Sequence, residues 1–115
     1  MIDAAAARNI ALSMPGAEER QHHGHPDFRV RNRIFATLWP REDRAVLKLS
    51  LVDQAALLKS SPRTFSTNAW SHQGWTNVHL QHIPEMRFRE LVEKAWRRIA
   101  PKKLVAEHDA TKTTN

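Results

Sequence analysis

The side chains able to do chemistry in this sequence are histidines, tryptophans and arginines. His22, His23 and His25 fall within four residues, and His72, His79 and His82 follow further along. Neutral imidazole is the commonest metal ligand and the usual proton carrier near neutral pH. A helical zinc site needs two histidines on adjacent turns of one face with a carboxylate beside them, and the trio meets neither condition. The spacing therefore calls for no metal and no cofactor. His25 and His72, with Glu18 or Glu19 as an orienting carboxylate, are the groups from which a polar pocket could be assembled for acid–base work or for a small ligand. Nothing in their spacing demands it, and no catalytic residue is assigned. The chain has no cysteine, which excludes thiolate ligands, disulfides and a Cys nucleophile. With three glycines it has no phosphate-cradling loop, and it has no Gly-x-Ser-x-Gly elbow.

A second kind of chemistry is binding. Period-two alternation places Arg29, Arg31, Phe35, Trp39, Lys48, Trp75, Asn77 and His79 opposite the apolar positions of their strands. If those faces coincide, the result is a surface of cations interleaved with aromatics. Cations suit phosphates and ring faces suit bases, so the pattern fits nucleic acid. On this reading Arg29, Arg31, Arg33 and Lys48 contact phosphates, and Trp39, Trp75 and His79 form an exposed aromatic face. Arg87, Lys94, Arg97 and Arg98 add a basic side to the last helix, with Lys102 and Lys103 beyond it. The competing reading buries Phe35, Trp39 and Trp75 in the core or in contact with a second copy, giving a monomer or a weak homodimer. On the helix, Glu90–Lys94 and Glu93–Arg97 have the spacing of favourable ion pairs that mute the charge.

The elements that must position these groups follow from the pattern. Asp3 stands as an N-cap before Ala4 to Ala7, and Ile10, Ala11 and Met14 continue a helix that Pro15-Gly16 stops. Ala17 to Arg20 opens a poorly alternating strand. His22 to Pro26 is a turn. Phe28 and Val30 belong to the next strand, and Arg31-Asn32 makes a tight hairpin turn, because Asn tolerates the left-handed conformation. In Arg33 to Trp39, Ile34, Ala36 and Leu38 share one face, and Phe35, Thr37 and Trp39 share the other. Two apolar faces imply a central strand. Arg44 to Ser50 is another strand, with Ala45, Leu47 and Leu49 inward. A short helix covers Asp53 to Leu58, a strand or loop covers Thr64 to Ala69, and a strand covers Trp75 to Leu80. Pro84 opens a last helix to about Ala100, with Phe88, Leu91, Val92, Ala95, Trp96 and Ile99 as its apolar stripe. Residues 104–115 have little to bury and are expected as a mobile tail.

These elements define an α+β class. Hairpin-linked strands give an antiparallel sheet of four to five strands, and helices with one apolar stripe each cover a single face of it. The 115 residues fit one domain, expected over residues 1–103. The formal net charge is +6 and the sequence pI about 10.5, which invites an acidic partner such as DNA. The surplus is nonetheless spread over the whole chain, at +1 or +2 in each of four successive segments, so a basic patch must be assembled by folding. No apolar run reaches the ~20 residues of a membrane helix, and residues 1–8 carry no leader pattern. A cytoplasmic protein with no membrane partner is expected.

Leu12-Ser-Met-Pro-Gly-Ala-Glu-Glu19, Gly24-His-Pro-Asp-Phe-Arg-Val30, Arg33-Ile-Phe-Ala36, Val46-Leu-Lys-Leu49 and Gly74-Trp75 before Val78-His-Leu80 occur in an order and spacing that resembles the MmcQ/YjbR family of small bacterial proteins. The last helix, with Leu91, Ala95 and Trp96, extends the likeness over roughly residues 5–103. The resemblance implies a two-layer fold of order α-β(3)-α-β(2)-α. It also implies DNA binding, the family's label from a double-wing likeness in structure, and it brings no catalytic residues. Two positions depart from the family pattern: His22-His23, where an aromatic often precedes the glycine, and Asn32, where glycine is common. Besides non-sequence-specific DNA binding, a protein-interaction or chaperone-like surface on the open sheet face and a His-lined ligand pocket remain as alternatives.

Overall fold

A computed structural model describes residues 1–113. Helix α1 (Ala4–Leu12) begins at Asp3, whose carboxylate accepts from the Ala6 amide at 2.8 Å. Four strands follow: β1 (Glu18–His22), β2 (His25–Val30), β3 (Arg33–Trp39) and β4 (Arg44–Lys48). Then come α2 (Leu51–Ser60), β5 (Phe65–Ser66), β6 (Trp75–His79), α3 (Glu85–Ile99) and α4 (Lys102–Thr113). The sheet has six strands in the order β1-β2-β3-β4-β6-β5, every neighbouring pair antiparallel. This is the expected α+β architecture with more strands than the expected four to five. The additions lie at the edges. β1 reads Glu-Glu-Arg-Gln-His and has one partner strand, so no apolar alternation marks it. β5 is two residues long.

The core lies between the sheet and the helices. Phe28, Ala36, Leu38, Ala45, Leu47, Phe65 and Val78 meet Ile10, Leu57, Phe88, Leu91, Val92 and Trp96, all buried. Burial of the Val, Leu, Ile and Phe side chains among them contributes roughly 1.5–3 kcal/mol each. α2 joins the same side through Leu57 and through Gln54, whose amide donates to Thr76 Oγ1 at 2.9 Å. Its N-cap is Ser50, which takes the Asp53 amide at 3.0 Å.

One irregularity decides which side chains reach the other face. Phe28 pairs with Ala36, but the register then slips, and Arg29 pairs with Ile34. Phe35 is thus an extra residue in β3, a bulge that turns it inward beside Ala36. The strict alternation that set Phe35 with Trp39 and Ile34 with Ala36 is corrected here. Phe35 is fully buried in the core, and Ile34 stands on the opposite face with Thr37 and Trp39. The next turn follows expectation: Arg31 and Asn32 both have positive φ, at 48° and 70°, as a two-residue hairpin of this twist requires.

Residues 104–115, expected as a mobile tail, instead supply most of α4 up to Thr113, and the last two residues lie outside the described residues. Leu104 and Val105 pack this helix against the core, and polar contacts hold it further along. Glu93 of α3 accepts from Arg97 Nε at 3.2 Å, His108 Nε2 at 3.1 Å and Lys112 Nζ at 2.6 Å. Arg97 also pairs with Asp109. Such a latch has no hydrophobic period, which is why composition pointed to a tail. Burial would raise the Glu93 pKa, but the bonds from Lys112, His108 and Arg97 outweigh it and hold it at about 2. A carboxylate depressed in the fold stabilises it above its ordinary value of 4.5 and loses that contribution as pH falls towards 2. A carboxyl-carbon NMR titration of Glu93 should therefore show a midpoint near 2. Amide exchange in α4 should rise over the same descent. A midpoint at the ordinary value would show that the latch does not form.

Candidate functional site

The helices gather on the Phe28–Leu47 side of the sheet. On the other side three rows of side chains cross the strands. In the first, Arg29 faces Ile34, and Lys48 faces Trp75. In the second, Asp27, Thr37, Val46, Asn77 and Ser66 follow one another over five strands. In the third, Trp39 faces Arg44, and Arg44 faces His79. Successive odd or even residues share a face, so the four strands β2, β3, β4 and β6 deliver their cations and tryptophans together.

Register also produces the contacts. His25 stacks on Trp39 with ring centroids 3.7 Å apart. From the flanking strand, the Arg44 guanidinium lies 4.7 Å from the Trp39 ring centre. Lys48 Nζ lies 5.5 Å from the Trp75 ring centre. Cations over indole faces at these distances are attracted by the ring quadrupole, by roughly 0.5–1 kcal/mol when exposed. Trp39 Nε1 donates to Thr37 Oγ1 at 3.1 Å, which fixes the indole edge. Arg44 donates to Asn77 Oδ1 at 3.0 Å and to Glu42 Oε1 at 3.1 Å.

Between these rows and the segment 68–70 lies a groove of about 550 Å³. Ile34, Thr37 and Val46 form its floor, and Trp39, Trp70 and Trp75 its sides. A concavity of this size is within the range that takes small ligands or single groups of larger ones. Arg44, with His23 and His25, supplies its ionisable lining; no carboxylate is among the lining residues. The Trp70 turn is firmly held. Asn68 Oδ1 accepts from the Trp70 amide at 2.8 Å, Ser71 Oγ accepts from the Asn68 amide at 2.8 Å, and Asn68 Nδ2 donates to Asn77 Oδ1 at 3.0 Å. The Trp70 side chain is nevertheless 61% exposed.

The structure brings together part of the expected set. Arg29, Lys48, Trp39, Trp75, His79 and His25 all lie on this face. Arg29 is held there by Asp27, which is fully buried, through Nε–Oδ1 at 2.8 Å and Nη2–Oδ2 at 3.0 Å. That hydrogen bond raises the Arg29 pKa against the opposing effect of burial. His79 is half-buried, within 2.8 Å of Ser66 Oγ through Nε2. Burial lowers its pKa, with the Arg44 and His82 charges adding to the effect. It lines a smaller recess of about 290 Å³ with Glu42, Asp43, Arg63, Gln81 and His82.

The remaining cations lie elsewhere. Arg31 is exposed at the β2–β3 turn. Arg33 turns to the helix side, its Nη1 donating to the Ile99 carbonyl at 3.4 Å. Arg87, Lys94 and Arg98 are exposed on α3, on the covered side of the sheet. There Arg87 pairs with Glu90 at 3.2 Å and Lys94 with Asp53 at 3.8 Å, while Arg97 takes Glu93. So the Arg29 edge and Lys48 do not converge with the last helix. His72 is exposed on a short turn beside Gln73 and is not in the groove that His25 lines, so the two do not form one pocket. Among the described residues, no group of three or more His, Asp or Glu is placed to hold a metal. Trp39 and Trp75 are half-buried, which leaves Trp70 as the strongly exposed aromatic of the face.

Arg44, Trp70 and Ile34 were not in the expected set. Arg44 was recoverable, because Ala45 and Leu47 point inward and their odd-numbered phase leaves Arg44 outward. Ile34 required knowledge of the bulge. Trp70 sits in an aperiodic Ser-Thr-Asn-Ala-Trp-Ser run that offers no phase.

No helix among the described residues is long and apolar enough to cross a membrane. None of the curated proteins compared with this chain matches it. Among solved structures, the chain is similar to the crystal structure of Deinococcus radiodurans protein DR2400, which carries a DUF419 domain. The TM-score is 0.78 at 18% identity, over 90% of this chain and 82% of that one. That likeness is one of fold. The family model for YjbR matches residues 12–98, from the end of α1 to the end of α3, which takes in the whole sheet and the groove. The chain belongs to the YjbR family.

Proposed function

We propose that this protein binds DNA without sequence preference, through the uncovered face of its sheet. The observation that carries this reading is the pairing of cations with indoles on that face: Arg44 against Trp39 and Lys48 against Trp75, beside a groove with no carboxylate in its lining. Positive charge for phosphates beside aromatic surface for bases is the combination that nucleic acid requires. The helix side fits less well, because Arg87, Arg89, Lys94 and Arg97 of α3 are all ion-paired, with Glu90, Glu85, Asp53, and Glu93 and Asp109. Side chains that grip a backbone this way contribute affinity and no base readout.

Two single substitutions separate the faces. Lys48→Ala should weaken DNA binding roughly fivefold in a low-salt anisotropy titration, and binding of the native chain should fall steeply as salt is raised. Arg98→Ala, on exposed α3, should leave affinity unchanged. The opposite pattern would move the interface to the helices. Absence of binding at low salt would remove DNA as the ligand.

A further inference from the structure

Resting on that reading, we infer that the groove takes unpaired bases of single-stranded DNA, with Trp70 as the platform on which a base stacks, and that duplex DNA is a poor ligand. Three observations carry this.

The first is what lines the groove. Ile34 and Val46 at its floor and Trp39 and Trp75 at its sides are apolar surfaces in a concavity of about 550 Å³. A duplex presents phosphates and sugars outward and would leave this lining in contact with nothing. Only a base freed from its pair offers flat apolar surface to fill it.

The second is the state of the cations. Duplex affinity without sequence preference comes almost wholly from cations neutralising phosphates. Here Arg29 is taken by buried Asp27, and Arg44 is tied to Glu42 and Asn77. Of these three cations, Lys48 is the one with no carboxylate partner among the described ion pairs, and it sits over an indole. Within the rows beside the groove, few charges are free to grip a duplex backbone. Charge beside a ring does suit a flexible strand, in which each nucleotide brings one phosphate and one base.

The third is Trp70. Both flanks of Trp39 are occupied, by His25 from β2 and Arg44 from β4, so Trp39 is a fixed wall. Trp70 is 61% exposed, on a turn clamped by Asn68 and Ser71. An indole held open at the rim of an apolar groove is a prearranged stacking surface, with little ordering left to do on binding.

The test compares a labelled mixed-sequence strand, the same strand annealed to its complement, and the Trp70→Ala variant, all in low-salt anisotropy titrations. Trp70 packs on the outside, so its removal leaves the fold intact, which far-UV circular dichroism checks. The single strand should bind at least about tenfold more tightly than the duplex, and Trp70→Ala should cost on the order of tenfold for the strand alone. Native tryptophan fluorescence should be quenched by the strand and lose most of that quenching in the variant. Duplex binding equal to or tighter than strand binding, or full strand affinity in Trp70→Ala, would overturn the inference and leave the DNA reading in place. Failure of both nucleic acids to bind would overturn the two together.

Discussion

Replacing Gly74 with alanine should destabilise the protein by on the order of 3 kcal/mol or more, far beyond the usual effect of adding one methyl group. Gly74 closes the turn before β6 with φ at +100°, which L-residues rarely adopt. A Cβ built there would stand 2.2 Å from the Leu49 carbonyl oxygen. That oxygen belongs to rigid backbone at the end of β4, where the Leu49 amide donates to the Gly74 carbonyl at 2.9 Å. Neither strand can retreat without breaking this bond and the Lys48–Trp75 pairing next to it. Chemical denaturation should show a lower midpoint at unchanged slope. Relief of strain would also shift the Trp70–Trp75 segment, so any variant that folds should show altered tryptophan emission. A loss under 1 kcal/mol would mean that the turn yields more easily than its backbone bonding indicates.

Trp96→Ala should cost about 3–5 kcal/mol. Trp96 is fully buried on the inner stripe of α3, its Nε1 donates to the Pro15 carbonyl at 2.9 Å, and His108 meets its ring edge-on at 5.1 Å. One side chain thus ties α3 to the turn after α1 and to α4. Truncation removes the ring and leaves a cavity where the three helices meet. Trp96→Phe separates the contributions: it keeps most of the apolar volume, drops the hydrogen bond and leaves the Pro15 carbonyl without its donor. It should cost about 1–3 kcal/mol. Equal losses from the two variants would place the whole effect in the hydrogen bond.

Where local chemistry was self-sufficient, the fold was legible from residues alone. Asp3 caps a helix because its carboxylate satisfies the Ala6 amide, whatever the rest of the chain does. The stripe from Phe88 to Ile99 could face only one way, and all six of its members are buried. Arg31-Asn32 turns the β2–β3 hairpin as expected, and Phe65–Ser66 supplied the strand that the resemblance favoured. Legibility failed where position depends on a partner. The Phe35 bulge is a relation between two strands, and it inverts the phase at Ile34 and Phe35 while leaving Trp39 on its expected side. Helix α4 depends on Glu93, which lies some way back in α3, so neither periodicity nor composition marked it.

The candidate site divides in the same way. Strand alternation placed Arg29, Lys48, Trp75 and His79 correctly. It could not say that Arg33, at the start of β3 beyond the bulge, turns to Ile99. Nor could it show that α3 and the open face lie on opposite sides of the sheet. The positive charge that looked like one surface is therefore two populations: one along the helices, where Arg87, Arg89, Lys94 and Arg97 are ion-paired, the other on the open face, where Arg44 and Lys48 lie over indoles.

The strand order carries a consequence for how the chain is made. β1 to β4 are consecutive neighbours joined by short turns, so they can pair as soon as each has been synthesised. β4 waits for β6, and the chain between them first has to emerge as α2, β5 and the Gly74 turn. During that interval β4 is a bare edge carrying Val46 and Leu47, which invites pairing with another nascent chain. The finished sheet instead ends in the charged β1 and the two-residue β5, neither a good template for a further strand. The period of greatest aggregation hazard thus falls during translation, between completion of residue 48 and arrival of residue 79, and closes when Trp75 seats beside Lys48.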